Sequence, residues 1–139
     1  MNTFLLAGAV GSFVAALLHV GCIVFGGPWY RFFGAGEKMA RMADAGSSTP
    51  TLITSGIVLV LLAWSYCALA GAGIAPKPPL LGALLSGVTA IYLIRGLMLF
   101  PMMKMMPGRD MKFWLWSSAI CMVLGLLHLI GTRQAWSSL

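Results

Sequence analysis

The chain has 139 residues, of which 60% are hydrophobic and 9% are charged, and its formal net charge is +6. A soluble domain carries about a quarter charged residues, so this composition excludes an ordinary water-soluble domain and predicts a protein surrounded by lipid. The basic residues lie between apolar runs instead of in one patch, and such residues are attracted to anionic headgroups. The charge therefore indicates membrane lipids as partners and excludes nucleic acid.

Four long apolar runs predict four membrane-spanning helices, at about 3–25, 50–70, 79–100 and 112–131. A run of more than about 18 apolar residues is typical of a span. Short connections make successive spans run in opposite directions. The predicted fold class is an all-α integral membrane protein, a four-helix up-down bundle forming one membrane domain over residues 1–139.

The first predicted span carries two neighbouring rows of small residues at a spacing of four: Ala7, Gly11 and Ala15, and Gly8, Ser12 and Ala16. Small residues at this spacing let helix backbones approach closely in lipid, within one chain or between two copies. His19 continues the first row, so we expect its side chain to face protein. A homo-oligomer joined through such faces is a second use of the same pattern.

The segment after the first span predicts an ordered membrane surface. A turn signal is followed by aromatic residues that are typical of an interfacial belt: Gly26, Gly27 and Pro28, then Trp29, Tyr30, Phe32 and Phe33. Residues 35–45 predict a short interfacial helix, because Met39 and Met42 share one face and Glu37 precedes Arg41 by four residues.

Arg95 is the only permanent charge within a predicted span, the third one. It lies opposite that span's stripe of small and polar residues: Gly82, Ser86, Thr89, Leu93 and Gly96. One interpretation is that the guanidinium reaches the headgroups. Since side chains lean towards the helix N-terminus, the other is that Arg95 holds a lipid phosphate or pairs across an oligomer contact.

The distribution of basic residues predicts the orientation. The connections after the first and third spans hold six of them, whereas the opposite side holds only Lys77 and Arg133: the six are Arg31, Lys38, Arg41, Lys104, Arg109 and Lys112. The positive-inside rule places the six in the cytoplasm of a bacterial inner-membrane protein. Both termini are then expected on the periplasmic side.

The two halves of the chain align weakly as an internal repeat. Phe25 aligns with Phe100 and Ser55 with Ser118, which would make the two helical hairpins parallel repeats. Many of the matched positions are merely apolar, as in any two membrane hairpins. Two interpretations therefore remain, an internal repeat and two unrelated hairpins.

His19 and His128 are the candidates for a haem or metal site, since ionisable residues within spans are often functional. They are expected on opposite sides of the midplane, about 15 to 20 Å apart at 1.5 Å per residue. Two imidazoles at that separation cannot bind one iron, so we expect each to be neutral and hydrogen-bonded to a carbonyl or serine of another helix, and we predict no cofactor. A cluster of methionines could bind Cu(I), but it lacks supporting Cys or His neighbours: Met102, Met103, Met105, Met106 and Met111.

The sequence favours a non-enzymatic protein of the binding or interaction class. It has no acidic residue within a span and no nucleophile beside a base. Anionic lipid or an amphiphile is expected at the cytoplasmic edge, near His19, Trp29, Tyr30, Arg31 and Arg95. The alternative is a small-solute transporter or channel with a polar lining between the second and fourth spans, formed by Ser55, Ser65, Ser118, His128 and Thr132. A haem or redox anchor is the third hypothesis.

Overall fold

The computed structural model describes residues 1–33, 37–98, 101, 104–105 and 111–139, except for the side chain of Phe113. Within these ranges the regular structure is helical, without a strand. The elements are α1 (Thr3–Phe25), α2 (Gly27–Phe32), α3 (Glu37–Asp44), α4 (Thr49–Gly71), α5 (Leu81–Leu97) and α6 (Met111–Ala135), followed by a 3₁₀ turn (Trp136–Ser138).

Among the described residues, three helices are long and apolar enough to cross a membrane: α1, α4, and the stretch Trp114–Ser138, which is most of α6 with its 3₁₀ turn. Their outward faces are covered with exposed large hydrophobic side chains, and Trp116 is 71% exposed. Such a surface would be unfavourable in water. The chain therefore has the surface of an integral membrane protein. α5 is apolar as well, but has 17 residues.

The predicted helix bounds agree closely with the structure for the first two spans. α1 has the predicted bounds, and α4 extends the prediction by one residue at each end. α5 is shorter than the predicted 79–100, whose last two residues lie outside the described part of the chain. α6 continues four residues beyond the predicted end at residue 131, to Ala135.

α1 and α4 form an antiparallel pair. Ser65, late in α4, donates a hydrogen bond of 2.8 Å to the carbonyl of Ala9, early in α1. At the other end of the pair, the hydroxyl of Tyr30 lies 3.0 Å from that of Thr54 near the start of α4. The order of these contacts shows that the helices run in opposite directions.

α5 and α6 form the second antiparallel pair, in which glycines permit close approach. A Cβ on Gly96 would lie 3.0 Å from the backbone nitrogen of Met122. A Cβ on Gly125 would lie 3.1 Å from the backbone nitrogen of Leu93. Each backbone thus approaches a glycine of the partner helix, as expected for helices that associate in lipid.

The four long helices meet at one end, which we call the terminal end. An apolar cluster there joins the starts of α1 and α5 to the ends of α4 and α6: Leu5, Cys67, Ala70, Ala72, Leu81, Leu85 and Ala135. Asn2 caps α1 by accepting from the Leu5 amide at 3.0 Å, and its side chain donates to the Gly131 carbonyl and to Gln134 at 3.2 and 3.1 Å. Both ends of the chain therefore lie at the terminal end.

We call the opposite end the basic end. Gly26 ends α1 with a φ of +73°, which favours glycine, and α2 begins there with Pro28 in its first turn. α3 lies within the predicted interfacial helix at 35–45. A Cβ on Gly27 would overlap the carboxylate of Asp44, so a side chain at that position would separate α2 from α3.

The structure buries one of the two small-residue rows of α1 fully and the other only in part. Gly8, Ser12 and Ala16 are buried, whereas Ala7 in the other row is exposed. The predicted stripe of α5 is partly wrong, because Ser86 is exposed, although Thr89 and Gly96 are buried. Larger apolar residues fill the rest of the interior face: Leu81, Leu85, Val88 and Tyr92. Burying large apolar side chains stabilises the bundle more than burying Ser86 would.

Candidate functional site

Arg31 is neutralised within the chain. Its guanidinium lies 3.1 Å from Glu37 and 2.7 Å from Asp44, and Glu37 also lies 3.4 Å from Arg41. The hydrogen bonds that Arg31 donates, first to Glu37 and then to Asp44, raise the pKa of Arg31, and the bond to Glu37 lowers the pKa of Glu37. Arg31 therefore holds α2 against α3, and its charge is already compensated before any lipid arrives.

Tyr30 does not belong to an interfacial belt. It is only 3% exposed, because it packs against Cys22 and Ala40 and hydrogen-bonds to Thr54. Trp29 is half-buried on Gly21, stacked on Phe25 with ring centroids 4.6 Å apart. Of this aromatic segment, Phe32 is the residue most open to lipid, at 83% exposure. The aromatic residues after Pro28 thus build the junction between α1, α2 and α3.

Arg95 lies across α6. Its Nη2 donates to the hydroxyl of Ser117 at 2.8 Å, and its Nη1 donates to that of Ser118 at 3.4 Å. The guanidinium carbon is 5.4 Å from the ring centroid of the buried Trp114, a cation–π distance. The side chain is half-buried, so it is held in place by two serines and an indole.

The contacts described for Arg95 include no carboxylate. Among the described acidic residues, Glu37 and Asp44 are both engaged by Arg31. Asp110 lies outside the described ranges. The Arg95 guanidinium thus has no counter-charge among the described residues, and partial burial of such a charge is unfavourable.

The two histidines are far apart along the bundle. The imidazole of His128 packs against Gly8 of α1, and His19 lies eleven residues further along that helix, about 16 Å at 1.5 Å per residue. Each Nδ1 lies 2.7 Å from the carbonyl four residues earlier in its own helix. Because a carbonyl only accepts, each Nδ1 carries the proton. Both rings thus bond within their own helices, whereas the sequence suggested bonds between helices.

The residues of the predicted polar lining face different interfaces. The Ser65 hydroxyl donates to α1, and the Ser118 hydroxyl accepts from Arg95 of α5. Ser55 is half-buried, and His128 and Thr132 are buried. α4 and α6 pack on each other only slightly, since α1 lies against both. The structure therefore does not bring these five residues together along one surface between α4 and α6.

Comparison of this chain with protein-family models, with characterised proteins and with solved structures finds no match. Its function is therefore inferred from the arrangement of its own residues. The candidate functional site is the group formed by Arg95, Trp114, Ser117 and Ser118, which we call the Arg95 site.

Sequence reasoning identified Arg95 but missed its partners. The serines and the tryptophan come from α6, 19 to 23 positions later, and the pairing of α5 with α6 decides which of them it meets. The buried hydrogen bond of 2.7 Å between Ser12 and Tyr92 was also missed. Ser12 belongs to the small-residue row that faces the core, which was the available signal for it.

Proposed function

We propose that this protein is a non-enzymatic inner-membrane protein that crosses the membrane four times and binds anionic lipid through the Arg95 site. α5 is the shortest of the four long helices, about 25 Å at 1.5 Å per residue, against an apolar layer of about 30 Å. It pairs along its length with α6, whose stretch Trp114–Ser138 is long enough to span. These features support four crossings rather than three.

The charge distribution supports a cytoplasmic basic end. The connections that follow α1 and α5 carry six basic residues, and the opposite side carries two. Basic residues near the ends of spans are retained on the cytoplasmic side. With this orientation both chain termini are periplasmic, and the Arg95 site lies in the cytoplasmic leaflet.

The observation that carries the lipid proposal is the half-buried guanidinium of Arg95 with neutral partners. A guanidinium has five N–H donors in a planar fork that matches a phosphate, and the serines engage two of its nitrogens. Arg95 is two residues before the end of α5, close to where headgroup phosphates lie. A phosphate there supplies the counter-charge that the described side chains do not.

The test is lipid retention by the purified protein in native mass spectrometry, with phosphatidylglycerol and phosphatidylcholine offered together. Arg95→Gln should reduce phosphatidylglycerol retention about tenfold or more, since a hydrogen bond to a charged group contributes about 1.5–3 kcal/mol. Arg31→Gln is the matched control and should leave retention close to wild type, because Arg31 is already paired. Equal retention by wild type and Arg95→Gln would refute the proposal.

The alternative of a small-solute transporter or channel has weaker support. Of the five residues proposed to line it, Ser65 and Ser118 have their hydroxyls engaged within the described structure. Flux of a small polar solute into liposomes that contain the protein would favour this alternative. For a haem or redox anchor, absorption in the Soret region would be the deciding observation.

Two further proposals concern symmetry. We propose an internal repeat because the α1–α4 and α5–α6 pairs are both antiparallel. Of the aligned pair Phe25 and Phe100, residue 100 lies outside the described part of the chain. A homo-oligomer would have to use other faces than Gly8, Ser12 and Ala16, which are buried within one chain.

A further inference from the structure

His128 carries a lone pair that has no partner within the described structure. The side chain is fully buried, and its Nδ1–H donates to the Leu124 carbonyl at 2.7 Å. In the neutral imidazole this leaves Nε2 as an acceptor. Neither Nε2 nor the Oγ1 of Thr132, one turn later on α6 and also buried, has a hydrogen-bond partner among the described residues.

The neighbours of His128 are unable to satisfy this lone pair. On the α1 side the ring faces Gly8, where a Cβ would lie 2.7 Å from Cε1 and 3.3 Å from Nε2. On the α5 side it faces Tyr92, with ring centroids 5.2 Å apart, but the Tyr92 hydroxyl is hydrogen-bonded to Ser12. Two polar atoms, one turn apart on α6, therefore remain to be satisfied in an apolar interior.

We infer that His128 Nε2 and Thr132 Oγ1 form an internal site for one water molecule, which donates to the imidazole and bonds to the hydroxyl. Leaving either atom unpaired would cost about 1–3 kcal/mol, and internal waters usually bridge such buried polar groups. Side chains four residues apart on a helix have Cβ atoms about 5–6 Å apart. The two side chains therefore project from the same face of α6 into the same part of the interior.

The polar groups of α6 that lie between this site and the protein surface are at the terminal end. Gly131, beside Thr132, accepts a hydrogen bond from Asn2, which also donates to Gln134. Asn2 and Gln134 line a hollow of about 330 Å³. Gln134 is six residues after His128, about 9 Å along the helix. The polar groups of α6 thus continue inwards from the hollow to His128.

The test is nuclear magnetic resonance of the protein in lipid bilayers, with ¹⁵N-labelled histidine and magnetisation transferred from water. In the wild type we expect the Nε2 of His128 to be unprotonated and hydrogen-bonded. We also expect magnetisation to be transferred from water to the His128 ring. Thr132→Val should abolish that transfer. Thr89→Val should preserve it, because the buried Thr89 hydroxyl already donates to the Leu85 carbonyl at 2.7 Å.

Three results would overturn the inference. They are a protonated Nε2, a ¹⁵N chemical shift of Nε2 typical of an imidazole without a hydrogen bond, or magnetisation transfer to the ring from the Thr132 hydroxyl alone. If Thr132→Val does not fold, the wild-type measurement decides, because the magnetisation must reach His128 from protons at the chemical shift of water and not from the Thr132 hydroxyl proton. The inference does not depend on lipid binding, so its failure leaves the Arg95 proposal intact.

Discussion

The imidazole of His128 lies directly on the backbone of Gly8, so that a Cβ at residue 8 would stand 2.7 Å from Cε1. This contact, with Gly11 against Leu124 one turn further, brings α1 close to α6. It joins the α1–α4 pair to the α5–α6 pair.

Gly8→Ala should therefore destabilise the protein by about 1–3 kcal/mol, the usual range for overpacking a well-filled interior. The ring of His128 has to move, and it is packed on its other side by Tyr92. Unfolding followed by circular dichroism in detergent measures the change.

The matched control is Gly87→Ala, in the middle of α5, where a Cβ would meet nothing within 4 Å. It should be neutral or stabilising by about 0.5–1 kcal/mol; equal behaviour of the two variants would contradict the Gly8–His128 contact.

The α2–α3 junction should loosen in acid. Arg31 lowers the pKa of Glu37 below its usual value, so the ion pair contributes its full stability above the ordinary pKa of Glu, about 4.3. That contribution declines as the pH falls below this value and is lost as the pH passes through the lowered pKa. Spin labels at Phe32→Cys and Lys38→Cys, in a chain without its native cysteines, should give one narrow distance at pH 6 and a broad distribution at pH 3.

In the same labelled chain, Arg31→Gln should give a broad distance distribution at both pH values, since both carboxylates lose their shared cation. If the wild-type distance distribution stays narrow at pH 3, or already broadens near pH 6, protonation of Glu37 is not what loosens the α2–α3 junction.

Tyr30 and Thr54 should be energetically coupled. Tyr30→Phe removes one partner of a buried hydrogen bond of 3.0 Å, at an expected cost of about 1 kcal/mol. Thr54→Val should cost a similar amount, and the double variant should cost less than the sum of the two. Reversible unfolding in detergent measures all three. Strict additivity would show that the two hydroxyls act independently.

The two ends of the bundle should be accessible from opposite sides of the membrane. In a chain whose native cysteines are replaced, Lys77→Cys should react with an impermeant maleimide applied to intact cells, and Lys38→Cys only after permeabilisation. The orientation follows from the excess of basic residues on the connections after α1 and α5. Reaction of both residues in intact cells would rule out the proposed topology.

The long helices could be predicted because apolar length is a property of consecutive residues. α1 and α4 fall within one residue of their predicted bounds. The separation of His19 from His128 followed from the same reasoning, since a position within a span fixes the depth of a residue. α3 was predictable from the spacing of Glu37, Met39, Arg41 and Met42 over two turns.

What could not be predicted depends on contacts between distant residues. Tyr30 follows a proline and looks interfacial, but its burial depends on Thr54, 24 positions later. The outward direction expected for Arg95 depended on the stripe of α5 alone, whereas Ser117 and Trp114 of α6 hold its side chain. On α1, the row of Gly8 is buried by contacts with both α5 and α6, whereas Gly11 in the row of Ala7 contacts α6 alone among these two helices.

The Asn2 side chain donates hydrogen bonds to two residues that lie 129 and 132 positions later in the chain. During synthesis α1 can therefore pair with α4 well before these two bonds form, because Gly131 and Gln134 are made long after α4. A nascent chain halted before α6 has its first helix held from one side only. In that partial chain α1 lacks its contacts with α6, so we expect it to separate from the other helices more easily than in the full bundle.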